Sequence, residues 1–242
     1  LASSQFAEGA AAFQKMISMR PDSRFLGEAS IALARCQTGA RKFADVGPAL
    51  SKLRAAAEAN KDLAFWLVEA AIAEATGQLA AGQASAAATT VHDAASAVKT
   101  SDDKRSQDLW ARAKRLEFEA HLAAKDPSKA KIVQDDLKQA SSRSVFALAA
   151  ERNCRAETAL SEKASGSDLH RVAKWLGDVH VENFEAVSQL PRTCYLLGLV
   201  HLELAGSRAP ARETAKGYFE EVRRRFPETR EAFLARDQLK KM

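Results

Sequence analysis

Glycine and proline are scarce in this chain of 242 residues, with 11 and 6 respectively, and tyrosine and tryptophan number only two and three. The residues that favour a pleated surface, Val, Ile, Thr and Tyr, are too thin to build a sheet. The glycines stand singly, so neither a GxGxxG nor a GxxxxGK[ST] loop is present and no nucleotide cradle is expected. No apolar run is long enough to span a bilayer. The most apolar segments, around Leu63 to Ala75 and Tyr195 to Leu204, are broken by Glu69, Glu74, His201 and Glu203. Three cysteines, Cys36, Cys154 and Cys194, are an odd number without metal-like spacing, and each is expected to act as a small apolar residue inside a helix. Charge of one sign does not dominate either. The excess is +5 from 36 basic and 31 acidic residues, which gives nucleic acid little to grip. Even the densest basic run, Arg223 to Arg225 with Arg230 and Arg236, is interleaved with Glu220, Glu221, Glu228 and Glu231, as on a solvated helix face.

What is present is alanine, with Leu, Glu, Lys, Arg and Gln, the residues that lose least side-chain freedom on a helical backbone. Apolar residues recur at helical spacing, and breakers divide them into about twelve helices joined by short connectors. Pro21 ends a helix from Gln5 to Arg20, and Asp22 or Ser23 caps the next, which Gly39 stops. Asp45 opens a third. A fourth, through Phe65, Trp66 and Ile72, ends near Gly77 or Gly82. Ala84 to Lys99, a helix capped by Ser101 and Asp102, and Ala130 to Ala140 with Ile132, Val133 and Leu137 on one face follow. Further helices run from Ser142 to Lys163, through Leu169 to Phe184, from Pro191 to Leu204, from Pro210 through Phe219, and from a Thr229 cap to the end. Trp66, Trp110 and Trp175 fall in apolar stripes and are expected in the core.

The same phrase closes both ends of this series. FQKMISMRPDSR spans Phe13 to Arg24 and FEEVRRRFPETR spans Phe219 to Arg230. In each, an aromatic precedes a proline by eight residues, an aliphatic residue follows the aromatic by three, and an acid, a hydroxyl and an arginine follow the proline. Five helix pairs of about 41 residues fit between the two phrases, so the chain reads as an all-α solenoid, or superhelix, of antiparallel helices in a single domain covering residues 1–242. In that phase it opens on a second-type helix and closes on a first-type one. Each end then lacks its mate, which suggests a longer array, a helix swap or a homodimer through an uncapped end. The start at Leu1, without a charged and apolar leader, fits a processed or excised piece of a longer protein.

The segment from Cys194 to Glu228 resembles a tetratricopeptide repeat, with Leu197 and Gly198 in its first helix, Ala215 and Phe219 in its second, and Pro227 closing it. Pro127 to Ala140 resembles a second helix of that type. Trp175 to Phe184 echoes a first helix but falls where the phase places a second. The units run longer than the usual length of about 34 residues. The PDSR and PETR endings are similar to repeats of bacterial cell-envelope proteins, such as outer-membrane assembly lipoproteins and periplasmic partners of the Tol system. The resemblance implies a non-enzymatic scaffold that binds a peptide or helix of another protein in a concave groove lined by first-type helices. On this chain those positions are Arg24, Glu28, Arg35, Glu69, Arg112, Arg115, Arg152, Arg155 and His201. A clamp of Asn and Lys for a peptide carboxylate is not visible, since the only asparagines are Asn60, Asn153 and Asn183. Alternatives are a regulatory or substrate-positioning domain of a larger enzyme, and an RNA-binding solenoid. No cofactor is expected. Glu117 and His121 share a helix face at a metal-like spacing, but zinc needs a further ligand and surface pairing accounts for them better.

Overall fold

The computed structural model describes residues 2–60, 63–98, 103–182, 185–206 and 209–242. Among these residues there are twelve α-helices and no strand. They are α1 (Ala2–Met19), α2 (Leu26–Gly39), α3 (Val46–Ala59), α4 (Ala64–Ala80), α5 (Ala84–Val98), α6 (Lys104–Ala123), α7 (Pro127–Ala140), α8 (Val145–Ser161), α9 (Gly166–Glu182), α10 (Leu190–Ala205), α11 (Ala209–Arg225) and α12 (Arg230–Leu239). The chain divides into two compact units, Leu1–Val133 and Gln134–Met242, and the division falls inside α7 rather than in a linker.

In the first unit α1 through α6 each pack on the next, and α2, α4 and α6 also pack on one another in series. The second unit repeats the scheme: α8 through α12 pack in order, and α8, α10 and α12 stack in series. This is the signature of paired helices laid side by side, in which the even-numbered member of each pair rests on its counterparts. The cores follow the same grouping. Ile31, Ala34, Val46, Leu50, Leu53, Ala70 and Ala73 join α2, α3 and α4. Ala156, Leu169, Val172, Leu176, Leu196, Leu197 and Val200 join α8, α9 and α10, and Cys194, Tyr195, Phe219, Val222, Ala232 and Ala235 join α10, α11 and α12.

The repeated phrase makes the same turn twice. After α1, Ser23 donates its amide to Arg20 O at 3.1 Å and Leu26 donates to Ser23 O; after α11, Thr229 donates to Phe226 O at 3.1 Å and Ala232 donates to Thr229 O. Pro21 and Pro227 stand one residue after the accepting Arg20 and Phe226, where a missing amide costs nothing. Thr229 also caps α12, accepting from the Ala232 amide at 3.3 Å.

Several boundaries differ from the sequence expectation. Neither Asp22 nor Ser23 is the N-cap of α2; Phe25 holds that place without a side-chain cap, while Ser23 Oγ accepts from the Phe25 amide. Gly39 lies inside α2 because Phe6 packs on it, where an added Cβ would stand 2.9 Å from the ring, and the turn is made by Arg41 at φ 59°. Gly77 likewise stays helical, against Val46 and Thr38, and Gly82 at φ 78° makes the turn after α4. On α7 the buried stripe is Ala130, Val133 and Leu137; Ile132 points outward, 63% exposed, because it lies one helical step off that stripe. Asp103 caps α6 through the Ser106 amide, whereas Ser101 and Asp102 lie outside the described residues, as do Lys61, Lys99, Asn183 and Phe184. Trp110 is buried, and Trp66 and Trp175 are partly buried against the core. Among the described residues no helix is long and apolar enough to cross a membrane.

Candidate interaction surface

The nine residues singled out from the resemblance lie on even-numbered helices or immediately before one, as its phase implies. They divide by environment. Arg24, Glu28 and Arg35 are exposed: Arg24 precedes α2, with its guanidinium 4.7 Å from the ring of Phe25, and Glu28 and Arg35 lie two turns apart along α2. Among the described residues neither Glu28 nor Arg35 has an ion-pair partner. Phe25 itself is 46% exposed, so α2 presents an aromatic ring flanked by charges of both signs.

The other residues in the first unit are engaged inside the protein. Arg112 on α6 grips Glu69 on α4 with two parallel hydrogen bonds, Nη1 to Oε1 at 2.6 Å and Nη2 to Oε2 at 2.9 Å, and Asp108 stands 3.8 Å away. Burial works against the charge of Arg112, but the hydrogen bonds and the charge of Glu69, with Asp108 beyond it, outweigh that cost and raise its pKa. Arg115 pairs with Glu119 one turn on, at 3.3 Å.

In the second unit, Arg152 on α8 donates to the carbonyl of Trp175 on α9 at 3.2 Å and lies 3.6 Å from Asp178. Arg155 donates to Glu151 on its own helix, and its guanidinium sits 5.1 Å from the Trp175 ring. His201 on α10 stacks on Tyr218 of α11, with ring centroids 5.5 Å apart and planes inclined by 17°. Burial, then the nearby His170, lowers the pKa of His201, so the ring holds its neutral form.

Beneath this surface runs a polar layer that periodicity does not reveal. Arg192 on α10 donates to Glu157 on α8 at 2.8 Å, and Thr193 donates to Asn153 at 3.0 Å; all four side chains are buried. In the first unit Glu117 is 3% exposed and meets His92 on α5 at 2.8 Å and Lys114 at 3.0 Å, with His121 3.9 Å away. The further neighbour that Glu117 and His121 lack in sequence is thus His92, but the Lys114 ammonium, 3.0 Å from the other oxygen, already pairs in charge with the carboxylate. Burial is the leading reason that His121 has a lowered pKa.

None of the three cysteines forms a disulfide. Comparison with protein-family models, curated proteins and solved structures gives no match to this chain.

Proposed function

We propose that this chain is a protein-docking module of the tetratricopeptide kind, which receives a peptide or helical segment of another protein along its first-type helices. The serial stacking of α2, α4 and α6 in one unit, and of α8, α10 and α12 in the other, carries the reading, because within each unit it is the geometry that presents one helix of every pair on a common face. The close fit of Gly198 under Phe219 supports the family likeness: a Cβ there would stand 2.4 Å from the ring. Docking starts most readily at α2. Arg24, Phe25, Glu28 and Arg35 offer an exposed aromatic anchor with charges of both signs along the helix that follows it, the composition that recognises an amphipathic segment. Arg112 and Arg152 instead brace neighbouring helices and would have to surrender internal bonds to reach a partner. The end motifs suggest a bacterial cell-envelope assembly as the setting.

The test replaces Glu28 or Arg35 with a photo-crosslinking residue and maps the captured partner, then measures its binding to the Arg24→Glu/Arg35→Glu variant. Loss of affinity of about tenfold or more is expected for a mixed-charge docking face. Unchanged affinity would remove α2 from the interface. Capture of RNA, with log affinity falling steeply and linearly in log salt, would replace the reading with a nucleic-acid one.

A further inference from the structure

One trio of side chains joins α9, α10 and α11, with His180 edge-on to the Tyr218 ring on which His201 stacks. Among the described residues, His180 on α9, Cys194 on α10 and Glu221 on α11 are the one group of three such side chains whose ligand atoms all lie within 4.8 Å of one another. They come from three successive helices of the second unit, and the sequence separates His180 from Glu221 by 41 residues. His180 Nε2 is 3.0 Å from Glu221 Oε1, and Arg225 donates to the same carboxylate oxygen. The thiol is fully buried, and His180 and Glu221 retain about a fifth of their side-chain exposure. We propose that His180, Cys194 and Glu221 form a zinc-class metal site, with imidazole nitrogen, thiolate sulfur and carboxylate oxygen as its three protein ligands.

Distances support this. Ligands at about 2.0–2.1 Å for nitrogen and oxygen and about 2.3 Å for sulfur, set tetrahedrally, stand about 3.3–3.6 Å from one another. The His180 to Glu221 separation is already within a few tenths of an ångström of that value, and the widest spread in the trio closes with side-chain shifts of about 1 Å. The donor set selects the metal. A thiolate with an imidazole favours Zn²⁺ or its spectroscopic substitute Co²⁺, whereas Ca²⁺ and Mg²⁺ require oxygen shells.

Charge balance supports it as well. On binding, the Cys194 thiol releases one proton to solvent, the imidazole enters neutral, and Glu221 is ionised. The thiolate and carboxylate cancel the two charges of the ion, and the guanidinium of Arg225 on Glu221 stays partly in solvent, so little uncompensated charge is buried. Without the ion, burial and the neighbouring Glu221 push the Cys194 thiol up to about 12, which makes it a poor nucleophile but does not prevent a metal from displacing its proton. Of the three ligands, Glu221 also borders an open depression of about 690 Å³, lined further by Gly217, Glu220, Arg223 and Arg224. Three protein ligands leave a fourth position for water or a small anion.

The experiment titrates the full chain, treated with chelator and kept reduced, with Co²⁺ alone while recording its absorption. A thiolate-to-cobalt charge-transfer band should appear, saturate at one ion per chain and vanish on addition of Zn²⁺. Affinity should rise with pH, because binding releases the thiol proton. Cys194→Ser should abolish the band and Cys154→Ser should leave it. Glu221→Gln, at a half-buried carboxylate, should weaken binding by about tenfold or more while circular dichroism reports an unchanged helical fold. Absence of the band in the native chain, its survival in a folded Cys194→Ser protein, or unchanged affinity in Glu221→Gln would each overturn the site and leave a hydrogen-bonded pair beside a packed thiol.

Discussion

Gly198 and Gly177 should respond to the same substitution with opposite signs, and the difference measures how tightly the second unit is packed. Both lie inside helices, α10 and α9, where exchanging glycine for alanine gains about 0.8–1.0 kcal/mol in backbone propensity. At Gly177 nothing lies within 4 Å of the new methyl, so the gain stands alone. At Gly198 the methyl would sit 2.4, 2.7 and 2.8 Å from three ring atoms of Phe219. Carbon atoms rest at about 3.5–4.0 Å, so the ring must retreat by about 1 Å. It has nowhere to go: Phe219 is fully buried, with Tyr195 at 5.7 Å between centroids. Overpacking of this kind costs about 1–3 kcal/mol. Gly198→Ala should therefore be destabilised by up to about 2 kcal/mol net, and Gly177→Ala stabilised by about 1. At about 2–4 °C per kcal/mol the two melting points should differ by several degrees, read from the helical circular dichroism signal. Adding Phe219→Leu to Gly198→Ala should recover part of the loss, with a coupling of about 0.5–3 kcal/mol between the sites. Equal melting points for the two alanine variants, or additive double-mutant behaviour, would show that α10 and α11 are not in the close contact described.

The buried pair Arg192 and Glu157 gives a second prediction: Glu157→Leu alone should cost about 3 kcal/mol by taking the carboxylate away from a buried guanidinium, whereas Glu157→Leu with Arg192→Met should regain most of it, as urea melts would show. A third concerns acid. Burial lowers the pKa of His121 and His201, so the unfolded chain takes up protons at a higher pH than the folded one, and stability is lost as pH falls below about 6.5 towards the folded values. The melting point should drop across that window, and His121→Gln/His201→Gln should flatten the drop. Burial pushes the carboxyl of Glu221 upward, but hydrogen bonds from Arg225 and His180 outweigh it and leave its pKa lowered. Its contribution is present above the unfolded value of about 4.3 and disappears only at lower pH, so it does not blur the histidine window.

The helical class, the helix count and the phase of the pairs were legible because breakers and caps act locally. Thr229 caps where a hydroxyl precedes an apolar stripe, and Pro21 and Pro227 sit where the chain has left the helix. Whether Gly39 and Gly77 make the turn or stay helical depends on what lies outside their own segments. A glycine near a helix end serves equally as a stop or as a place for a neighbour to approach, and only Phe6 and Val46 decide between these uses. Ile132 shows the same limit. An apolar residue beside an apolar stripe reads as core until the neighbouring helix is in place, and here the seam is one step away.

The polar pairs were hidden by distance along the chain, although a signal for them existed. Glu69 and Arg112 are 43 residues apart, Asn153 and Thr193 are 40, and His180 and Glu221 are 41, each close to one repeat length. A search for complementary side chains one repeat apart would have found all three. Their spacing has a physical consequence. Alanine-rich faces such as those of α4, α6 and α8 are smooth, and sliding one past its counterpart by a helical turn would exchange one methyl for another at little cost. The same slide moves Arg112 by about 5.4 Å, breaks both bonds to Glu69 and leaves each charge half-buried. Apolar burial therefore holds the repeats together, while pairs one repeat apart fix the register in which they stack. Strengthening the first without the second would yield a helical stack that is stable and yet poorly ordered.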